Sequence, residues 1–546
     1  MTQQNHFSEH LARILTPLTI RGANKDDGDL QVDTSGWYNT PGVAVAAATS
    51  SATSGENVNQ AQWGARELPG GPGPDANTLF QACSISKPFQ SLAILHYISE
   101  GVISGLDDPV KLYLAEESYR TLLHNSIQKG IPEELAAQLL DKTTILQLLS
   151  HTAGSTASGF QGYATSSAHI PSTTEVLKGA SGNANSPSVY VNTIPGIQVD
   201  YSGGGTTVLQ AMLENVGSDR GSFTSFAALM KTLVLEPLGM TRSFYCNATA
   251  LPQSESNYAT GYHNGSHGLE SGQYHIHPEQ GAAGLWTTPM DLTKGMVGFA
   301  HSLLGTSSAI RLNGKPWIRP EVAQELLYKR RELGHGQNAY YCGFSVQFFD
   351  GEDDLLRDQN LVQISHAGAN YGYRFLTTAT FVHPDKLVES VEDTIISAQS
   401  IMTNSNYGGE IIGPLMFAIS EFLDRPSGPG ARGTAFEDYV PASALDTTAS
   451  IPAAGWEAYE GRWNIENRSQ TLHITTSPEP TLEFSHLDGI RLPLLAVAER
   501  KGEESMRLRA GSLEVMLDFG WQQKKNEACL TLCTGGSRVK CIKKSP

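Results

Sequence analysis

Ser84 and Lys87 are the first residues whose types and spacing could do chemistry. They lie in LFQACSISKPFQSLAILHYISEG, residues 79–101. An apolar, strand-like entry ends at Cys83, after which Phe89, Leu92, Ala93, Leu95 and Ile98 recur at helical spacing. Pro88 falls near the start of this run, where the first-turn N–H groups lack intrahelical partners and a proline is tolerated. The spacing predicts a helix with Ser84 at its N-terminus and Lys87 about one turn later on the same side. In a Ser-x-x-Lys arrangement the amine can take the hydroxyl proton, and the helix N-terminus favours negative charge developing beside the serine. The same spacing recurs at Ser126–Lys129, in a polar stretch, and at Ser537–Lys540, after a Gly-Gly turn. Only Ser84–Lys87 opens an apolar helix. Read locally, Ser84 is equally an ordinary N-cap, so the rest of the chain must supply its partners.

The chain has 546 residues, enough for more than one core. With 40% hydrophobic and 17% charged residues its composition is that of a soluble globular protein. A net charge of −17 argues against nucleic acid or an anionic membrane as partner and fits a small or neutral ligand. The N-terminus lacks a basic and apolar secretory pattern, and no run is long and apolar enough for a membrane span, so a cytoplasmic location is expected. The cysteines, Cys83, Cys246, Cys342, Cys529, Cys533 and Cys541, are scattered and give no disulfide framework. Glycosylation-type triplets at Asn247, Asn264 and Asn467 carry no weight without a secretion signal.

The elements that must position the pair follow from pattern. Residues 1 to about 30 read as an amphipathic helix and polar connector, Pro41 to Ser50 as a buried strand, 51–61 as a polar hairpin turn, and Gln62–Gly64 as the returning strand. Thr144 to Leu149 predicts a short helix before the turn Ser150-His151-Thr152-Ala153-Gly154, where His151 reads as structural. Residues 155–190, rich in Ser, Gly, Ala and Asn, form a loop expected to border the site. Helices are expected at Thr206–Asn215, Phe226–Leu235 and Ile411–Leu423, and strands at Gly343–Phe349, Leu361–Ser365, Tyr373–Val382 and Thr394–Met402. Residues 424–455 have linker composition. From Trp456 on, short alternating runs between turn signals predict a small antiparallel all-β unit, sandwich or barrel.

Three further motifs then fall in order: Tyr201-Ser202-Gly203 on a glycine-rich turn, Trp286-Thr287-Thr288-Pro289, and His366-Ala367-Gly368 after the apolar strand LVQIS. Zinc-type Cys or His pairs, a Gly-x-Ser-x-Gly elbow and phosphate-binding glycine loops are missing, so neither a metal nor a cofactor is expected. Together with Leu106-Asp-Asp-Pro-Val110, Leu148-Leu-Ser-His151-Thr-Ala-Gly154, Pro237-Leu-Gly-Met240 and Gly284-Leu-Trp-Thr-Thr-Pro289, these motifs make the chain from about 40 to 425 resemble the serine β-lactamase and penicillin-binding-protein family, in its class C, D-amino-acid peptidase and esterase branch.

The resemblance implies an α/β (α+β) fold: an antiparallel sheet flanked by helices, a helical subdomain at about 107–280, and the site between them. It divides the chain into a catalytic domain 1–425, a linker 426–455 and a lipocalin-like β-barrel 456–546. It implies Ser84 as nucleophile, with Lys87 or Tyr201 as base or proton shuttle. His366 would donate to a substrate carboxylate or to Tyr201. The oxyanion hole would be the N–H groups of Ser84 and Ala369, the latter on an edge strand. Gly203, Gly368, Trp286 and Tyr373 would contact substrate, although Trp286 and Tyr373 read equally as core. One departure is Gly203, where relatives usually carry an asparagine that binds the acyl side-chain amide. This weakens a β-lactam or peptidoglycan substrate more than it weakens acyl-enzyme chemistry. The expected function is that of a serine hydrolase or acyltransferase acting on a small ester, thioester or amide, of esterase, D-peptidase or biosynthetic transacylase type. The alternative is a non-hydrolytic penicillin-binding or sensor protein with the same fold. The sequence leaves the oligomeric state open.

Overall fold

The computed structural model describes residues 6–12, 40–423 and 456–543, apart from 69–70, 220–221, 247–249, 265–266, 269–273, 334–338, 350–359, 388–389, 467–469, 477–479, 486, 488–489, 497–505, 511–512, 514, 523–526 and 535–536. The linker expected at 426–455 lies outside the described residues.

The main sheet is seven-stranded and antiparallel. Its strands are β1 (Gly42–Ser51), β2 (Gly55–Gly64), β8 (Ala339–Tyr341), β9 (Phe344–Phe349), β10 (Leu361–Asn370), β11 (Tyr373–Val382) and β12 (Ile396–Thr403), in the order β8-β9-β10-β11-β12-β1-β2. The intervening labels belong to short strands: β3 (Phe80–Gln81), β4 (Tyr163–Ala164), β5 (Phe244–Tyr245), β6 (His275–Ile276) and β7 (Leu285–Thr287). The first seven residues of β1, GVAVAAA, are apolar without alternation because both sheet faces are covered. Val43, Val45 and Ala47 pack with helix α1 (residues 6–12) and helix α9 (Gly409–Phe422), whereas Ala44 and Ala48 face the larger core. Helix α8 (Pro289–Leu304) covers that second face, with the Thr288 side chain accepting from the Asp291 N–H as its cap.

Several elements depart from the sequence reading. The polar stretch 51–61 is a hairpin turn only as far as Gly55, where β2 begins, because the register Ser51↔Gly55 closes directly on the turn. Phe226–Leu235 is helical as expected, but it changes from α-helix at Phe226–Met230 to π-helix at Lys231–Leu235. Helix α6 (Gly203–Asp219) starts at its three glycines, which are poor helix formers. Close packing demands them: a Cβ on Gly204 would stand 2.2 Å from the Thr156 carbonyl oxygen.

Helices α3 (Glu116–Gln128), α4 (Glu133–Asp141) and α5 (Ile145–Leu149) build the helical part with α6. Eight further strands, from Gly461–Ile465 to Ser537–Lys543, form a closed barrel in which the first pairs with the last at Trp463↔Lys543. Alternate residues point inward and fill it: Trp463, Ile465, Leu472, Ile474, Leu482, Phe484, Leu517, Phe519, Leu530 and Leu532 are buried. Its core is continuous with Leu135 and Leu139 of α4 and with Val191, Ile194 and Ile197, so the barrel backs the segment that leads to Tyr201.

Candidate active site

Ser84 lies in a single 3₁₀ turn, Cys83–Ile85, that runs into helix α2 (Ser86–Ser99). Strand β3 delivers the chain to it, paired with β7 at Gln81↔Trp286, and the Ala82 N–H donates to the Leu285 carbonyl at 2.7 Å. Cys83 has a φ of +54°, a region that a side chain with a Cβ seldom occupies. Two bonds brace this turn. The Ser86 hydroxyl donates to the Cys83 carbonyl at 2.6 Å and accepts from the Leu285 N–H at 3.0 Å. Ser84 itself stays partly exposed.

Lys87 faces Ser84 one turn on, as the spacing requires. Its Nζ lies 3.1 Å from Ser84 Oγ and donates to the Ala282 carbonyl at 2.9 Å. Only 4% of Lys87 is exposed. Burial lowers its pKa to about 7, against a weaker opposing effect of Cys83. Tyr201 sits across the amine, with Lys87 Nζ 4.9 Å from its ring centroid, and its hydroxyl is hydrogen-bonded to that of Ser84. Burial holds the Tyr201 pKa above the usual phenol range despite that bond.

His151, read from sequence as structural, belongs to the same cluster. Its ring centroid is 4.4 Å from that of Tyr201. Its Nδ1 accepts from the Ser202 N–H at 3.2 Å, and its carbonyl accepts from the Asp200 N–H at 2.6 Å. A non-glycine φ of +56° aims the ring this way, and periodicity gives no sign of such a backbone. Burial, then the charge of Lys87, holds the His151 pKa well below the usual imidazole range.

His366 is buried, with its ring centroid 6.4 Å from that of Tyr201. Burial and the charge of Lys87 lower its pKa to about 3. Its Nδ1 bonds the Ala367 carbonyl, an acceptor, so the proton resides on Nδ1 and Nε2 carries the lone pair. His366 was expected to donate to a substrate carboxylate or to Tyr201; in this tautomer Nε2 accepts instead.

Strand β10 is not the last strand of the sheet, as the edge-strand expectation had it, because β9 and β8 lie beyond it. Yet β9 pairs with it only as far as Ser365, and His366–Asn370 has no strand neighbour on that side among the described residues. The Asn370↔Tyr373 pair closes the hairpin, so by antiparallel alternation the amides of Asn370 and Gly368 face β11 and that of Ala369 faces the open edge.

Each of the four expected substrate contacts has close neighbours within the protein. Gly203 is buried under the 155–160 loop: its N–H donates to the Ser158 carbonyl at 3.2 Å, and a Cβ would stand 2.8 Å from Phe160 Cε2. Gly368 lets β10 cross the nucleophile's own chain, since a Cβ there would stand 2.6 Å from the Ala82 carbonyl oxygen. Trp286 and Tyr373 are 3% and 0% exposed and pack edge to face, with Tyr373 donating to the Ala259 carbonyl at 2.9 Å. Both are core. Among the described residues no group of His, Cys, Asp and Glu could hold a metal ion, and no helix is long and apolar enough to cross a membrane.

The chain belongs to the Beta-lactamase family, whose family model matches residues 30–409. Among solved structures, SurE with D-Leu aligns over 99% of both chains at 15% identity with a TM-score of 0.51. The octameric penicillin-binding protein homologue from Pyrococcus abyssi aligns over 98% of this chain and 99% of its own, at 15% identity and a TM-score of 0.48. The D-alanine carboxypeptidase AmpC from Burkholderia cenocepacia covers 77% of this chain and 99% of its own, at 16% identity and a TM-score of 0.47. No curated protein matches.

Proposed function

We propose that the chain is a serine hydrolase or acyltransferase that works through an acyl-enzyme on a small ester, thioester or amide. The observation that carries this is the buried Lys87 amine, 3.1 Å from Ser84 Oγ and with a pKa lowered to about 7. At neutral pH a large share of that amine is unprotonated and able to take the serine proton. Ser84 Oγ then bonds the acyl carbon, and the N–H groups of Ser84 and Ala369 stabilise the oxyanion. Tyr201, whose phenolate is disfavoured, stays a phenol and relays the proton to the leaving group, with His366 Nε2 as a neutral acceptor beside it. Water or a second acceptor releases the acyl group.

In this reading residues 1–425 are the catalytic domain and the 456–546 barrel supports the Tyr201 segment from behind. The substrate is a small acyl compound rather than a nucleic acid or membrane. Esterase, D-peptidase and biosynthetic transacylase activities fit better than β-lactam hydrolysis, because Phe160 fills the space an acyl-amide-binding side chain at position 203 would need. The SurE crystal carries D-Leu, so D-amino-acid esters and amides belong in the substrate panel beside p-nitrophenyl esters. The test is fluorophosphonate labelling with peptide mapping, followed by turnover on that panel in wild type and Ser84→Ala. Label on Ser84 and loss of turnover in the variant are expected. Full turnover by Ser84→Ala, or stable label without any turnover, would overturn the reading.

A further inference from the structure

Behind Lys87 the chain buries two ionisable side chains for which acyl transfer has no stated use. His277 is 5% exposed and Glu279 0%. They approach to 3.9 Å, from His277 Nδ1 to Glu279 Oε2. Among the described residues neither ring nitrogen of His277 and neither carboxyl oxygen of Glu279 has a hydrogen-bond partner. An ionised carboxylate deprived of water, with only its own backbone N–H as a weak counterweight, is costly enough that the group takes up a proton instead. A carboxylic acid needs only one acceptor, and a neutral imidazole stands beside it. Burial raises the Glu279 pKa to about 8. Burial, followed by the charges of His275 and Lys87, lowers that of His277 to about 3. A cavity of about 10 Å³, room for a single water, opens beside His277 between Gln81, Tyr274 and Trp286.

One short turn joins this pair to the base. Glu279 precedes helix α7 (Gln280–Ala283), and its carbonyl accepts from the N–H groups of Ala282 and Ala283 at 3.0 and 2.9 Å. The Ala282 carbonyl at the other end is the one that accepts from Lys87. Gln210 of α6 clasps the same turn, donating to the Pro278 carbonyl at 3.2 Å and accepting from the Gly281 N–H at 2.9 Å. The titratable groups facing the pair are Lys87 from α2, Tyr163 from β4 and His275 on β6, with Glu175 felt through Tyr163 and Glu214 reached through Gln210.

We propose that Glu279 is a protonated carboxylic acid directed at His277, either directly or through one water, and that this uncharged pair is a positioning element for the Lys87 base. The proposal rests on Lys87 acting as the base. While Glu279 keeps its proton, the uncharged pair stays buried and α7 holds the Ala282 carbonyl where it aims the amine at the Ser84 hydroxyl. Once Glu279 ionises, the carboxylate must gain water or donors, the turn that carries the Ala282 carbonyl shifts, the amine loses its aim at Ser84 and acylation falls.

The test compares wild type with Glu279→Gln, which keeps the shape and cannot ionise. The rate of fluorophosphonate labelling at Ser84 is followed against pH, each profile normalised to its own maximum. Wild type should rise through about pH 7 and lose at least about fivefold above about pH 8, whereas Glu279→Gln should keep a plateau. Thermal unfolding gives an arm independent of activity. A pKa raised from 4.5 to about 8 contributes stability that is full below 4.5 and lost as pH rises through 8, so Glu279→Gln should gain on wild type across that window. Should the variant fail to fold, infrared difference spectra of wild type between neutral and alkaline pH decide, through loss of a buried carboxylic-acid carbonyl band. Equal alkaline limbs in the two proteins, no pH-dependent gain in stability, or no acid band would each overturn the proposal. Absence of label on wild-type Ser84 would instead overturn the acyl-enzyme reading, leaving the other two arms to judge whether Glu279 is protonated.

Discussion

Lys87 Nζ and the Ala282 carbonyl oxygen lie 2.9 Å apart, and the contact fixes where the amine lone pair can go. A neutral amine has two N–H donors and one lone pair. One donor is taken by a carbonyl that only accepts, which leaves the lone pair free to face the Ser84 hydroxyl 3.1 Å away. The carbonyl belongs to a different element from either residue, so the geometry of the base depends on α7 being held between α2 and α6.

Acylation should therefore titrate as a base. Lys87 is inactive as ammonium, so the second-order rate of Ser84 labelling should rise with pH through about 7, the value to which burial lowers the amine. Lys87→Ala should lower that rate by about 10²–10⁴-fold and abolish the limb. Stopped-flow labelling across pH, with wild type and variant side by side, checks both statements. An unshifted rising limb in Lys87→Ala would assign it to another group.

The same burial makes Lys87 a liability for stability. Its folded pKa, about 7, lies below the ordinary 10.5. The unfolded chain holds the proton more strongly, so the destabilisation is full below about pH 7 and fades as pH rises towards 10.5. Lys87→Met should therefore raise unfolding stability at mildly acid pH by on the order of 2–4 kcal/mol, with the gain shrinking as pH rises. Urea unfolding at several pH values measures it, while labelling is lost in the same variant.

Much of this frame was legible because local pattern and global role agree. Tyr373–Val382 is a strand with the bounds its pattern set, and Ser84–Lys87 opens a helix because apolar periodicity follows it. The all-β unit was visible as alternating short runs, since each strand has one filled and one exposed face, but the alternation suits a sandwich as well as a barrel and only the resemblance pointed to the barrel. What was not legible depends on neighbours distant in sequence. Nothing near His151 announces a positive φ that turns its ring onto Tyr201, 50 residues on. Trp286 and Tyr373 looked able to line a pocket, and only the packing of β3, β7 and β11 makes them core. Glycine carries the same ambiguity. Gly203 and Gly368 signal close approach, but not whether substrate or the protein's own backbone approaches.

Gly368 offers a direct test of how tightly β10 crosses the nucleophile's chain. The Cβ of Gly368→Ala would stand 2.6 Å from the Ala82 carbonyl oxygen and 3.1 Å from Cys83 Cβ. The Ala82 oxygen belongs to the backbone and the Cys83 Cβ is fixed by it, so neither can swing away. The variant should fold with a loss of about 1–3 kcal/mol. It should also acylate about 10²-fold more slowly, because displacing Ser84 by about 1 Å spoils its approach to the carbonyl. Comparing labelling rates with substrate binding in the Ser84→Ala background separates a misplaced nucleophile from a blocked site. Weakened binding with an unchanged labelling rate would mean that Gly368 serves substrate after all.

Gly203 should behave differently, because the atom it meets belongs to a side chain that can be removed. Gly203→Asn would press its Cβ to 2.8 Å from Phe160 Cε2 and 3.2 Å from the Ser158 carbonyl oxygen. Overpacking of this kind costs about 1–3 kcal/mol. Removing the ring in Gly203→Asn/Phe160→Ala should return at least about half of that loss beyond the effect of Phe160→Ala alone, as expected for residues in contact. Urea midpoints of the four proteins complete the cycle. Gly203→Asn by itself should gain no turnover of a chromogenic cephalosporin, since the added amide would be held off the cleft by the loop; the double variant, in which the side chain has room to turn, is where such turnover would first be seen. A coupling near zero would place Phe160 away from position 203 in solution and reopen that position to substrate.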